Sequence, residues 1–173
     1  IRKLDLIAEA NAYTAALDSA SNETAIQTYI KRNRKWFIPA ALFRDFNFGH
    51  HDAYLFPEQR LGGEYQADYM LLGKNSDGYS IVLVEFEAVN VTYKLSTSNS
   101  ESVSVRKGLT QINDWKRWMD NNRSYFLNNC GLERHGITVP SSRIYYALVV
   151  SRRKHLDEIS RDMRSQTMHQ IPN

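Results

Sequence analysis

The chain has little or none of several features that define common protein classes. Its 173 residues include a single cysteine, Cys130, which excludes an internal disulfide framework. No apolar run approaches the ~20 residues that a membrane span requires, and the first residues lack the apolar block of a secretion signal. The sequence also shows no heptad repeat, no Gly-rich phosphate loop and no Cys/His spacing typical of zinc. These absences favour a cytoplasmic protein that does not enter a membrane.

What is present fits one globular domain with a distinct basic character. Hydrophobic residues make up 42% of the chain and charged residues 24%, which is ordinary for a folded domain. The net charge of +3 is too small to predict a polyanionic partner by itself. Basic residues nevertheless cluster within 31–35, 106–123 and 152–154. One such cluster is usually a solvated face, but three clusters around an acidic site favour a phosphate backbone as ligand.

Hydrophobic periodicity predicts an α/β order of elements. Helices are predicted over 3–19 and from a capping signal at 21–23 to about Trp36, followed by an irregular aromatic-rich stretch, 43–56. Two strands, 67–72 and 80–88, flank a loop of hairpin composition. A buried stripe of Val105, Leu109, Ile112, Trp115 and Met119 predicts a helix, and the apolar run 144–150 predicts a strand covered on both faces. A last helix is predicted over 154–168.

The most informative pattern is a set of three carboxylates on the two hairpin strands. Asp68 lies near the start of the first strand, and Glu85 and Glu87 lie near the end of the second. Side chains alternate across a strand, so Glu85 and Glu87 share one face at a spacing of roughly 6–7 Å. The hairpin should bring Asp68 opposite them. We therefore expect three acids to converge at one end of the sheet.

Converging carboxylates are the ligands that a hard divalent cation prefers. Mg²⁺ takes oxygen ligands in octahedral geometry, so two or three acids and a backbone carbonyl, here that of Phe86, would suffice. Such an ion can acidify a water for attack on phosphorus. The structural alternative is that these acids are solvated strand ends or ion pairs with Lys107 and its neighbours.

Asp68 followed by the Glu-x-Glu of residues 85–87 resembles the core motif of PD-(D/E)xK nucleases. The wider pattern is similar to the nuclease domain of Shedu-type anti-phage defence proteins. The segments that carry this resemblance are NETAIQTYI at 22–30, LGGEYQADYMLL at 61–72, the strand with the two Glu residues and a Gln-bearing helix. The resemblance covers roughly residues 22–160. It implies a restriction-endonuclease-like mixed central sheet flanked by helices.

The resemblance also implies roles for individual residues. Glu87 stands where the family motif has Lys, and Lys107 is expected to supply that missing positive charge. Gln111, one turn further along the same helix face, matches the Gln of a Gln-x-x-x-Tyr helix motif, with Trp115 in the aromatic place. Glu58 or Glu64 is expected to act as a further metal-side carboxylate, the role that an acid on a preceding helix takes in many relatives.

The implied function is a Mg²⁺-dependent DNA endonuclease or nickase of bacterial anti-phage defence. Mn²⁺ is expected to substitute for Mg²⁺, Arg106, Lys116 and Arg117 to contact DNA, and the chain to form a homo-oligomer. The alternative is a catalytically degenerate nucleic-acid-binding or assembly module on a nuclease-like fold. We expect a helical segment, 1–36, packed on a nuclease core, 37–173. Relatives continue into a further strand, which leaves a C-terminal truncation open.

Overall fold

The computed structural model describes residues 5–46 and 48–170, with the backbone alone for 169 and 170. Its helices and strands follow the order α1 Leu6–Ser19, α2 Glu23–Asn33, α3 Phe37–Ala40, β1 Asp52–Leu61, β2 Tyr65–Asn75, β3 Gly78–Phe86, α4 Val103–Asn129, β4 Ile144–Val149 and α5 Glu158–Gln170. Short 3₁₀ turns lie at Ala41–Arg44, Glu133–His135, Ser141–Arg143 and Arg153–His155. Within the described ranges, none of the helices combines the length and the apolar character that crossing a membrane would need.

The four strands form one mixed sheet in the order β1-β2-β3-β4. β1 and β2 are antiparallel, β2 and β3 form the predicted antiparallel hairpin, and β4 is parallel to β3. Asn75 Oδ1 accepts a hydrogen bond of 3.0 Å from the backbone N–H of Asp77, which helps to close the β2–β3 turn. The long helix α4 provides the crossover that a parallel pair requires. The predicted α/β class with a mixed sheet is confirmed.

Helices cover both faces of this sheet. On one face, α4 packs Ile112, Trp115 and Met119 against strand residues that include Met70 and Leu83. On the other face, α2 packs Ile26 and Ile30 against a set that includes Tyr69, Leu71, Val82 and Val84. The predicted domain division at residue 36 stays a prediction, and residues 1–4, 47 and 171–173 of those segments lie outside the described residues.

Several predicted features differ from the structure. α2 ends at Asn33 rather than Trp36, because Arg34 adopts the left-handed conformation, φ 52°, that ends a helix. The stretch predicted to be irregular as far as residue 56 contains the first half of β1. β4 is the last strand of the described sheet, so most of it is only half-buried, whereas the apolar run predicted burial on both faces.

Candidate metal centre

Glu85 and Glu87 lie buried at the end of β3, on the face that α4 covers. Only 4% of Glu85 and 2% of Glu87 is exposed to solvent. Glu85 pairs in register with Leu148 of β4, and the backbone N–H of Glu87 donates to the Val149 carbonyl at 2.9 Å. The parallel pairing with β4 thus continues one residue past β3 and fixes both carboxylates on a rigid part of the sheet.

A third carboxylate reaches the same place from α2. Oxygen atoms of Glu23, Glu85 and Glu87 all lie within 4.8 Å of one another. Glu23 is the first residue of α2, and the side chain of Asn22 caps this helix by accepting from the Ala25 N–H at 3.0 Å. The cap fixes where the helix begins and therefore where Glu23 points. We call Glu23, Glu85 and Glu87 the carboxylate cluster.

Asp68 lies beside this cluster but has a different contact. The β2–β3 pairing ends at Tyr69 and Val84, and Asp68 Oδ2 then accepts a hydrogen bond of 2.7 Å from the backbone N–H of Phe86. Asp68 is not among the three acids whose oxygens all lie within 4.8 Å of one another, and its predicted role as a metal ligand stays a prediction. The negative charge of Asp68 nevertheless raises the pKa of Glu85. The structure thus places Asp68 next to Glu85, as a neighbour that holds the end of β3.

The surroundings of the cluster disfavour the ionised form of its carboxyl groups and of Asp68. Burial, followed by the negative charges of Asp68 and Glu87, raises the pKa of Glu85 to about 9. Burial also raises the pKa of Asp68 and of Glu87, and in Glu87 the nearby Lys107 opposes the effect. Glu85 Oε2 is buried and has no hydrogen-bond donor within the described chain. A buried, unpaired oxygen among converging acids is a site that a hard divalent cation fits.

Lys107, on α4, forms ion pairs with two members of the carboxylate cluster. Its Nζ lies 2.6 Å from Glu23 Oε2 and 3.0 Å from Glu87 Oε1. Gly108 allows this approach, because a Cβ there would lie 2.4 Å from Leu148 Cδ1 and 3.1 Å from Glu87 Cγ. The hydrogen bond to Glu23 and the charge of Glu87 raise the pKa of Lys107, so its ammonium stays protonated. The structure therefore brings Lys107 to the predicted acids.

Residues 20–169 match the family model described as Shedu protein SduA, C-terminal. The chain belongs to this Shedu family. The matched segment contains the whole carboxylate cluster, Asp68 and Lys107. No curated protein matches the chain. Membership of the Shedu family implies a role in anti-phage defence.

Three further predicted residues of this Shedu chain, Glu64, Arg106 and Gln111, line an open groove beside the cluster. The groove runs between the β1–β2 turn and α4 and is lined by Glu64, Tyr65, Gln66, Val103, Arg106, Lys107, Thr110, Gln111 and Asp114. Arg106 donates to the Glu101 carbonyl at 2.9 Å. Gln111 lies one helical turn beyond Lys107, and its predicted catalytic role stays a prediction. Lys107 belongs to both the groove and the cluster, so the two are adjacent.

The remaining predicted residues lie elsewhere. Glu58 is on strand β1 instead of a helix, where it pairs with Lys31 and remains exposed, so it does not join the carboxylate cluster. The Lys116 ammonium lies 5.4 Å from the centre of the Tyr146 ring. Arg117 is exposed and pairs with Asp114 three residues before it. The metal role of the Phe86 carbonyl and the DNA contacts of Lys116 and Arg117 stay predictions.

Glu23 is the cluster member that the sequence did not reveal. An acid at the start of a helix is favoured by the helix dipole, and after Asn22 it has the appearance of an ordinary capping residue. That local explanation is sufficient, so the pattern gives no reason to look for a second role. Glu23 lies on a helix that precedes the sheet, whereas Glu58 is on strand β1 and Glu64 is on the β1–β2 turn.

Proposed function

We propose that this Shedu domain is a metal-dependent DNA endonuclease or nickase, with a restriction-endonuclease-like fold, that acts in anti-phage defence. One observation carries the proposal. Three carboxylates from two different elements converge within 4.8 Å, and one of their oxygens, Glu85 Oε2, is buried without a donor among the described residues. Burying such a group without a partner is costly, so a ligand explains its presence better than stability does.

Glu23, Glu85 and Glu87 would hold the ion, with Mg²⁺ as the expected cation and Mn²⁺ as its substitute. When bound, such an ion supplies an acidified water and offsets the charge that develops on phosphorus. Asp68 would hold the end of β3 in place through the Phe86 N–H. Lys107 stays protonated, so it would offset negative charge on the phosphate and would not accept a proton.

DNA as the substrate is supported by two cations beside the cluster and by two more further along α4. Arg106 and Lys107 line the adjacent groove, and Lys116 and Arg117 follow along the same helix. Cations at this position would bind phosphates that the carboxylates repel. A homo-oligomer is proposed on the aromatic side chains that remain exposed, Tyr54, Tyr125 and Phe37, because interfaces are enriched in aromatic residues.

One observation favours the second candidate, a non-catalytic DNA-binding or assembly module. Lys107 pairs with both Glu23 and Glu87, so part of the cluster is neutralised without any ion. A site that is stable as an internal ion-pair network needs no metal. The two candidates differ in metal binding: the nuclease should bind Mn²⁺ at the carboxylate cluster, and the degenerate module should not.

A plasmid-cleavage assay in Mg²⁺ tests the proposal, with Glu85→Gln as the inactivating variant and Glu133→Gln as its matched control. Glu133 is an exposed acid on the 3₁₀ turn after α4 and belongs neither to the carboxylate cluster nor to the groove. Glu85→Gln should abolish cleavage, while DNA binding in chelator stays equal, because with a pKa of about 9 the metal-free Glu85 is already uncharged near neutral pH. Cleavage that survives in Glu85→Gln would refute the nuclease proposal.

A further inference from the structure

Lys107 occupies the position where the carboxylate cluster most needs a positive charge. Its ammonium lies 2.6 Å from Glu23 Oε2 and 3.0 Å from Glu87 Oε1, and these are two of the three acids that could hold an ion. Glu87 is 2% exposed, whereas the Lys107 side chain is 52% exposed. The lysine therefore enters a buried acidic site from the solvent side.

A divalent cation and this ammonium would compete for the same two carboxylates, Glu23 and Glu87. Two positive charges held that close together repel each other in a partly buried site. Lys107 is the mobile member of the pair, since its head is joined to the helix by a flexible four-carbon stem. The open groove beside it, lined also by Arg106 and Gln111, offers space for the displaced ammonium.

We infer that Lys107 is a displaceable counter-ion: a divalent cation takes its place between Glu23 and Glu87, and the ammonium moves into the groove. The inference rests on the proposed metal site and adds how that site is occupied before the metal arrives. In the groove the ammonium would meet an anionic group of a substrate, such as a phosphate. Metal binding and phosphate binding would then be linked through one side chain.

The test is the rate at which acetic anhydride acetylates Lys107 in the whole protein, followed by peptide mass spectrometry with and without Mg²⁺. The ion pairs with Glu23 at 2.6 Å and Glu87 at 3.0 Å restrain the Lys107 amine and limit its access to the reagent. Release of the amine into the groove should therefore increase its acetylation rate several-fold. Lys154 is the internal control, because it is 50% exposed and pairs with Asp18 at 2.8 Å in the same way.

The rise at Lys107 should saturate at the Mg²⁺ concentration that calorimetry gives for binding, and it should vanish in Glu85→Gln. Three results would overturn the inference: calorimetric Mg²⁺ binding that leaves the Lys107 rate unchanged, an equal rise at Lys154, or no metal binding at all. A higher acetylation rate of Lys107 in Mg²⁺ without plasmid cleavage would support the inference and refute the nuclease proposal. Glu85-dependent cleavage with an unchanged acetylation rate would support the nuclease proposal and refute the inference.

Discussion

Replacing Glu85 by Gln should make the metal-free protein more stable. Glu85 is buried beside Asp68 and Glu87, which together with burial raises its pKa from an ordinary 4.5 to about 9. Gln has nearly the same shape and cannot ionise. Ionised Glu85 destabilises the metal-free folded state, because it is buried next to two other acids. Replacing Glu85 with the uncharged Gln removes this destabilisation.

The size of this effect follows from the pKa and depends on pH. Between pH 4.5 and about 9, the folded state binds a proton at Glu85 that the unfolded state has released. The stabilising contribution of Glu85 to the free energy of unfolding is therefore fully present below pH 4.5 and is lost as pH rises towards about 9. The slope is about 1.4 kcal/mol per pH unit, which amounts to at most about 3 kcal/mol near neutral pH. Glu85→Gln should be more stable than the wild type by up to that amount.

Urea unfolding in chelator, repeated across this pH range, measures the difference. The gap between Glu85→Gln and the wild type should widen as pH rises, while Glu64→Gln, at an exposed position, should follow the wild type within about 0.5 kcal/mol. Saturating Mg²⁺ should stabilise the wild type and leave Glu85→Gln unchanged, because a ligand that binds only the folded state stabilises it. A Glu85→Gln variant that is less stable at every pH would show that Glu85 supports the fold.

Three other substitutions test the packing of α4, the metal site and a DNA contact. Gly108→Ala should cost about 1–3 kcal/mol in urea unfolding, because its Cβ would lie 2.4 Å from Leu148 Cδ1, whereas Gly63→Ala, with no atom within 4 Å, should cost almost nothing. Glu23→Gln should weaken Mn²⁺ binding in calorimetry while thermal stability stays within a few degrees of the wild type; unchanged binding would remove Glu23 from the metal site. Arg117→Ala should weaken DNA binding and lower the slope of log affinity against log salt by about 1; an unchanged slope would show that Arg117 does not contact phosphate.

The sequence predicted the strands that carry strong local signals. The β2–β3 hairpin has apolar runs on both sides of an Asn/Asp/Gly loop, and the structure confirms it with the register Leu72 to Ile81. β1 carries no such signal, because it is an outer strand of the described sheet with exposed residues on both faces and Pro57 within it. An edge strand need not alternate apolar and polar residues, so hydrophobic periodicity alone could not identify β1.

In the candidate site, too, the sequence predicts residues that are close together in the chain better than residues that only folding brings together. Glu85 and Glu87 are two residues apart on one strand, so alternation alone places them on one face. The family resemblance, together with the spacing of Lys107 and Gln111 on one helix face, predicts Lys107. Glu23 lies more than sixty residues before Glu85 in the chain, and only the packing of α2 against the sheet brings it to the end of β3. Its position therefore depends on the length of α2, on the Asn22 cap and on the burial of Ile26 and Ile30. A shift of the helix start by one residue would turn the acid by about 100° around the helix and away from the cluster, so the third carboxylate is specified by how the helix packs and not by any motif around it.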